Sequence, residues 1–116
     1  CYTTNMTLSF DQYQEAALKT TRGHDKPNEI FHLVLGLVGE TGEIAEKFKK
    51  LVRDKESDLA KLDKNDIAKE LGDVLWYLAI LSDFLGVSLD KVASNNIEKL
   101  ADRQSRGVIG GSGDSR

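Results

Sequence analysis

Apolar residues recur along this chain at three- and four-residue steps, the spacing that lines one face of an α-helix. Ser9 followed by Gln12 forms a capping box and predicts a first helix over about 10–20, with Phe10, Tyr13, Ala17 and Leu18 on its apolar side. Gly23 and Pro27 then break the pattern. Leu33, Leu37, Ile44, Phe48 and Leu51 predict a second helix over about 28–53. A polar stretch follows, with room for a short helical turn. Asp63 or Asn65 then caps a third helix over about 66–85, whose stripe is Ile67, Leu71, Val74, Leu78, Leu81 and Leu85. Gly86 suits the position just past its end, and Ser88 caps a fourth helix over about 89–105. The expected fold is all-α: an antiparallel, four-helix-bundle-like domain over 9–106. An N-terminal extension, 1–8, precedes it, and an irregular glycine-rich tail, 107–116, follows.

Composition supports this picture and narrows the function. The chain has 116 residues, one proline, 40% hydrophobic and 30% charged residues. That allows one domain with a thin margin of buried surface, so a helical oligomer is expected. A net charge of −3 argues against a general nucleic-acid binder. The lone Cys1 excludes a disulfide within the chain, which fits a reducing compartment. No apolar run approaches the roughly 20 residues that span a bilayer, and no secretory signal is visible. The expected location is the cytoplasm. Met6 is a candidate natural start.

The stretch GETGEIAE, 39–46, is unusual inside a helix. It places glycines where each costs roughly 1 kcal/mol against alanine, and crowds three glutamates into eight residues. On a helical wheel Glu40 lies roughly 50°, and Glu43 roughly 110°, from the centre of the second helix's apolar stripe. Glu70 and Asp73 fall at nearly the same offsets on the third helix. Packed antiparallel, the two helices can gather four carboxylates at one half-buried seam. Four such charges repel and lose hydration unless a cation joins them. An all-oxygen set without His or Cys suits Mg²⁺, or Mn²⁺, and shares it readily with phosphates. The alternative is that these are ordinary solvated helix residues.

Gly36, Gly39 and Gly42 recur every third residue, and Gly72 sits between Glu70 and Asp73. They offer close helix approach or room for a ligand, or they tolerate a bend. On the fourth helix Asn96, Lys99 and Arg103, with Arg106, share a basic face that suits phosphate oxygens, or else pairs with Glu98 and Asp102. Lys47 and Lys50 follow the carboxylate edge and could approach phosphate, or form a solvated helix end.

With these residues in place, GLVGETGEIAEKFKK followed by KELGDVLWYLAIL resembles the MazG family of nucleoside triphosphate pyrophosphohydrolases. The family's paired motif, E-x-x-E then E-x-x-D, is read here as Glu40, Glu43, Glu70 and Asp73. NNIEKLADRQSRGVIGGSGDSR is similar to the C-terminal segment of single-domain members. The resemblance spans about 8–116. It implies a helical homodimer or homotetramer with active sites at subunit contacts. It implies Mg²⁺-dependent hydrolysis of a nucleoside triphosphate, canonical or modified, to the monophosphate and pyrophosphate, a nucleotide-pool house-cleaning role. It makes Glu40, Glu43, Glu70 and Asp73 metal ligands, and Asn96, Lys99 and Arg103 phosphate contacts. Glu43 is the expected general base. Candidates for the base pocket are Phe10, Tyr13, Gln14, His32, Trp76 and Tyr77, where packing is the competing role for each aromatic.

Two histidines are too few for a multi-histidine site around His24 and Asp25, and GGSGDSR lacks the G-K-[ST] of a phosphate loop. The competing function is a non-catalytic helical module that binds nucleotide or metal and dimerises. No stable nucleic-acid or membrane partner is expected.

Overall fold

Four helices and no strand make up the described residues of the computed structural model, 7–21 and 27–107. Cys1, Met6, His24 and Asp25 lie outside them, as does the tail from residue 108 onward. The first helix, α1, is Phe10–Leu18, opened by the Ser9–Gln12 capping box. It ends two residues earlier than expected, where the Thr20 hydroxyl donates to the Ala17 carbonyl at 2.7 Å. The second, α2, runs Glu29–Lys55, two residues past the expected end. Its last turn carries Arg53 and Lys55, which complement the negative end of the helix dipole. Glu56 and Ser57 then adopt positive φ angles of 56° and 60°, turning the chain back through a single 3₁₀ turn, Leu59–Lys61. The third helix, α3, is Lys64–Phe84; its cap is Asp63, whose side chain accepts from the Asp66 amide at 3.1 Å. Gly86 (φ 75°) provides the left-handed step that follows. The fourth, α4, is Leu89–Ser105, capped by Ser88.

The core gathers one contribution or more from every helix: Ala17, Leu33, Ala79, Ile80 and Leu89, with Tyr13, Leu18, Trp76, Tyr77 and Phe84 packed around them. α2 packs along α3, while α1 packs against α3 and α4; no Cα atoms of α2 and α4 come within 8 Å of each other. On α3 the expected apolar stripe is corrected. Leu71, Leu78 and Leu85 are exposed, and the fully buried positions are Ala79 and Ile80. α3 is apolar on several sides, and the neighbours it meets decide which side is covered. Phe48 and Phe10 are likewise exposed rather than inward.

Two polar devices fix how the helices meet. The Gln14 side chain is buried and donates to the Ala79 carbonyl (3.0 Å) and the Val87 carbonyl (3.2 Å), while its oxygen accepts from the Leu89 amide (3.0 Å). It clamps α1 to the end of α3 and the start of α4. Asp11 and Asp90 exchange roles at adjoining helix N-termini. The Asp90 amide donates to Asp11 Oδ1 at 2.8 Å and the Asp11 amide to Asp90 Oδ1 at 3.2 Å. Each carboxylate thus satisfies an orphan N–H of the other helix.

Candidate metal centre

Three stations follow one another along the face that α2 turns to α3: Leu33, Glu40 and Lys47. Their seven-residue spacing is two helical turns, about 10 Å. Leu33 is in the core. Between it and Glu40, Gly36 lets the helices close up, because a Cβ there would fall 2.2 Å from Tyr77 Cε1. Gly39, Gly42 and Gly72 face open space instead, so only Gly36 serves close approach among them. Thr41 turns its hydroxyl back onto the Leu37 carbonyl at 2.8 Å, within α2.

At the middle station the structure brings Glu40 of α2 together with Glu70 and Asp73 of α3. One carboxylate oxygen from each lies within 4.8 Å of the others. Glu40 and Glu70 are half-buried and Asp73 is exposed. Loss of hydration, the nearby Asp73 and Glu70 charges, a hydrogen bond to Glu70 and the Glu43 charge all hold the Glu40 carboxyl above the usual carboxylate range. Glu43 is exposed and is not one of the three converging carboxylates. It sits one turn along the same helix, close enough for its charge to act on Glu40.

Neighbouring groups tune the cluster from both sides. Lys47 donates to Asp66 Oδ2 at 2.5 Å and lies 3.9 Å from Glu70 Oε1. The Asp66 hydrogen bond raises the Lys47 pKa; desolvation opposes it, and the charges of Asp66, Glu70 and Glu43 add to it. From α1, the Tyr13 phenol is pushed up first by burial and then by the Asp73 charge.

The remaining expected site residues are placed as follows. Gln14 is corrected from base reader to clamp, since its buried amide is committed to backbone partners on both sides. Trp76 packs on the core, stands edge-on to Tyr77 with ring centroids 5.0 Å apart, and donates from Nε1 to Thr20 Oγ1 at 2.7 Å. Tyr77 fills the space over Gly36. Phe10 and His32 are exposed. On α4, Asn96 is exposed and Lys99 half-buried, whereas Arg103 is 4% exposed and lies in the packed seam. Within one protomer α4 packs on α1 and α3, so the basic face stands on a neighbour of the helix that carries Glu70 and Asp73, and not along the helix that carries Glu40.

Three converging carboxylates with no nitrogen or sulfur donor fit a hard divalent cation. The raised Glu40 pKa gives a signed expectation. Its folded value exceeds its unfolded value, so its contribution favours the fold at pH below the ordinary carboxylate range. That contribution is lost as pH rises through the raised value. A cation that joins the three oxygens offsets the repulsion present at high pH. Mg²⁺ is therefore expected to raise the thermal midpoint more at pH 8 than at pH 5, read by circular dichroism against EDTA. Equal increments at both pH values would mean that protonation of Glu40 does not compete with the cation across this range.

No single described helix is long and apolar enough to cross a membrane; α3 and α4 meet that test only as a pair, across a 101° bend. A model of the MazG nucleotide pyrophosphohydrolase domain matches residues 29–108. The chain is 47% identical over 114 residues to the gene 37 protein of Mycobacterium phage L5, covering 94% of this chain and 100% of that one. It is 40% identical over 73 residues to the uncharacterized protein YvdC of Bacillus subtilis (strain 168), covering 58% of this chain and 68% of that one. No solved structure gives a significant match.

Proposed function

Since the chain belongs to the MazG nucleotide pyrophosphohydrolase family, we propose that it hydrolyses nucleoside triphosphates, canonical or modified, to the monophosphate and pyrophosphate with Mg²⁺. The observation that carries this reading is the convergence of Glu40, Glu70 and Asp73 on one point between α2 and α3. These three residues would hold the cation, which when bound supplies charge neutralisation and polarisation of a phosphoryl oxygen.

In the reaction proposed, a water oxygen bonds to the α-phosphorus and the bond from that phosphorus to the β-bridging oxygen breaks. Glu43 takes the water's proton: it stands one turn from Glu40, exposed, with its carboxylate outside the converging set. The departing pyrophosphate is the second product. Phe10, exposed one turn before Tyr13, offers a ring for stacking on the base.

The assay that tests the reading is pyrophosphate release from a panel of ribo- and deoxyribonucleoside triphosphates, with Mg²⁺ and with EDTA. Release from at least one triphosphate, abolished by EDTA, is expected. Metal-dependent nucleotide binding without release would instead identify a non-catalytic module.

We also propose that the working form is a homodimer or homotetramer. On α2, Phe31, Leu35 and Val38 are 64–70% exposed, a stripe on the side of the helix away from α3. On α3 and its C-cap, Leu71, Leu78 and Leu85 repeat every seven residues, also exposed. Apolar stripes of this length are characteristic of protein contacts, and burying them in a second copy compensates for the small core. Asn96 and Lys99 of α4 are assigned to the phosphates; α4 packs on α3, the helix that carries Glu70 and Asp73. Sedimentation should give at least twice the 12.8 kDa chain mass. Leu35→Glu with Leu78→Glu should return the protein to a single chain.

A further inference from the structure

The third station on α2, Lys47, carries charge opposite to the acids around it. Its ammonium donates to Asp66 Oδ2 at 2.5 Å and lies 3.9 Å from Glu70 Oε1. Glu43 stands four residues earlier on the same helix, the spacing that puts two side chains on one side, and its charge acts on the lysine. Lys47 and Glu70 are largely withdrawn from water, with 27% and 18% of their side-chain surface exposed. The Lys49–Glu46, Arg53–Asp54 and Arg106–Asp102 pairs each lie within one helix or its cap. Lys47 instead joins α2 to α3, through Asp66 and Glu70, which are one turn apart on α3. It also lines a cleft of about 310 Å³ that the end of α2, the 3₁₀ turn and the start of α3 enclose. Glu70 is therefore shared. It meets Lys47, and it also places an oxygen within 4.8 Å of ligand oxygens of Glu40 and Asp73. Repulsion from those two acids favours rotamers that turn Glu70 out to water. An ammonium fixed 3.9 Å away opposes that rotation.

We propose that Lys47 is a positioning residue of the acidic site: tethered to Asp66, it keeps the Glu70 carboxylate at the seam, where it can meet a cation together with Glu40 and Asp73. The proposal rests on the cluster reading above and adds what holds one of the ligands in place. In this role Lys47 donates no proton and touches no substrate. Two effects of the lysine oppose each other. By charge alone it repels a cation bound beside it, so its removal tightens binding. By position it fixes a ligand, so its removal weakens binding, by about tenfold or more for groups that orient metal ligands. The geometry favours the second effect. Asp66, at 2.5 Å, already matches the ammonium charge and so blunts its repulsion, while the same bond fixes where the ammonium stands.

The test is Mn²⁺ binding to the full chain, read from the electron paramagnetic resonance signal of the free ion, in the wild type, Lys47→Met and Asp66→Asn. Lys47→Met keeps the apolar stem and removes the ammonium. Its circular dichroism and its thermal midpoint in EDTA should stay near wild type, because a partly exposed ion pair contributes little to stability. Its Mn²⁺ affinity should fall about tenfold or more. Asp66→Asn leaves the lysine in place but untethered, and should weaken binding as well. The double variant should bind no more weakly than Lys47→Met, because both changes act through one tether. In the Mg²⁺ assay of Lys47→Met, the Mg²⁺ concentration for half-maximal pyrophosphate release should rise by a similar factor, with kcat at saturating Mg²⁺ changed less. Equal or tighter Mn²⁺ binding by Lys47→Met overturns the proposal, as do fully additive losses in the double variant. If Lys47→Met does not fold, unchanged binding by Asp66→Asn overturns it. A wild type that takes up no Mn²⁺, or whose uptake survives Glu70→Gln, overturns it too. Metal-dependent release alongside wild-type Mn²⁺ affinity in Lys47→Met would sink the role of the lysine and leave the activity standing. Lysine-dependent Mn²⁺ binding with no release from any triphosphate would sink the activity and leave the lysine in its role.

Discussion

Glu70→Gln is expected to lower pyrophosphate release by about a hundredfold or more, because the several kcal/mol of charge stabilisation supplied by a bound cation depends on its ligands. The side chain keeps its volume but loses its charge, in a cluster whose oxygens lie within 4.8 Å of each other. The helical circular dichroism should be unchanged, and Mg²⁺ should no longer raise the thermal midpoint. Glu43→Gln supplies the contrast. Glu43 stands outside the converging set, so this variant should lose turnover while retaining the Mg²⁺-dependent rise in midpoint. Normal turnover in Glu43→Gln would remove it as the proton acceptor. A Glu70→Gln protein that hydrolyses triphosphate at the wild-type rate would remove the cluster from the reaction.

The largest loss of stability is expected at a residue that takes no part in the chemistry. Gln14→Leu preserves apolar bulk but leaves the Leu89 amide and the Ala79 and Val87 carbonyls without the partner they share. Buried polar groups stranded in this way cost about 1–3 kcal/mol each, reduced where water reaches them, so a total of about 2–4 kcal/mol is expected. That is a large fraction for a fold with few fully buried apolar side chains. Urea denaturation at fixed protein concentration should show the midpoint falling steeply. A midpoint within a few tenths molar of wild type would mean that the clamp contributes little. Gln14→Glu distinguishes the two halves of the clamp. It keeps the acceptor for Leu89 but turns a carboxylate toward two carbonyl oxygens, so it should also be destabilised, and more at neutral than at acid pH.

Gln14 also shows where a sequence stops speaking. Its partners lie 65 to 75 positions away, and no local pattern separates a glutamine that reads a base from one that ties helices together. The same holds for Gly36. Its three-residue spacing with Gly39 and Gly42 suggests a shared purpose, yet only Gly36 has Tyr77 against it. Arg103 falls on the same helical face as Asn96 and Lys99, but α4 meets its neighbours along Leu89 and Arg103, so the arginine is inside. The wheel placed Glu43 and Asp73 at matching offsets on their two helices. It describes each helix alone, whereas convergence depends on how the two cross, and that admits Asp73 and leaves Glu43 outside.

What could be read from residue order was what depends on near neighbours. The four helices come from apolar periodicity; their starts come from Ser9, Asp63 and Ser88, each bonded within three residues. The acidic pairs were legible as well, because i, i+3 spacing puts two carboxylates on one side of a helix whatever surrounds it. Packing decided the rest: which side of α3 is covered, which three acids meet, and where the end of α2, the 3₁₀ turn and the start of α3 enclose a cleft. Those outcomes depend on distances between residues far apart in the chain. A helix apolar on several sides has no internal reason to prefer one partner until the others are in place.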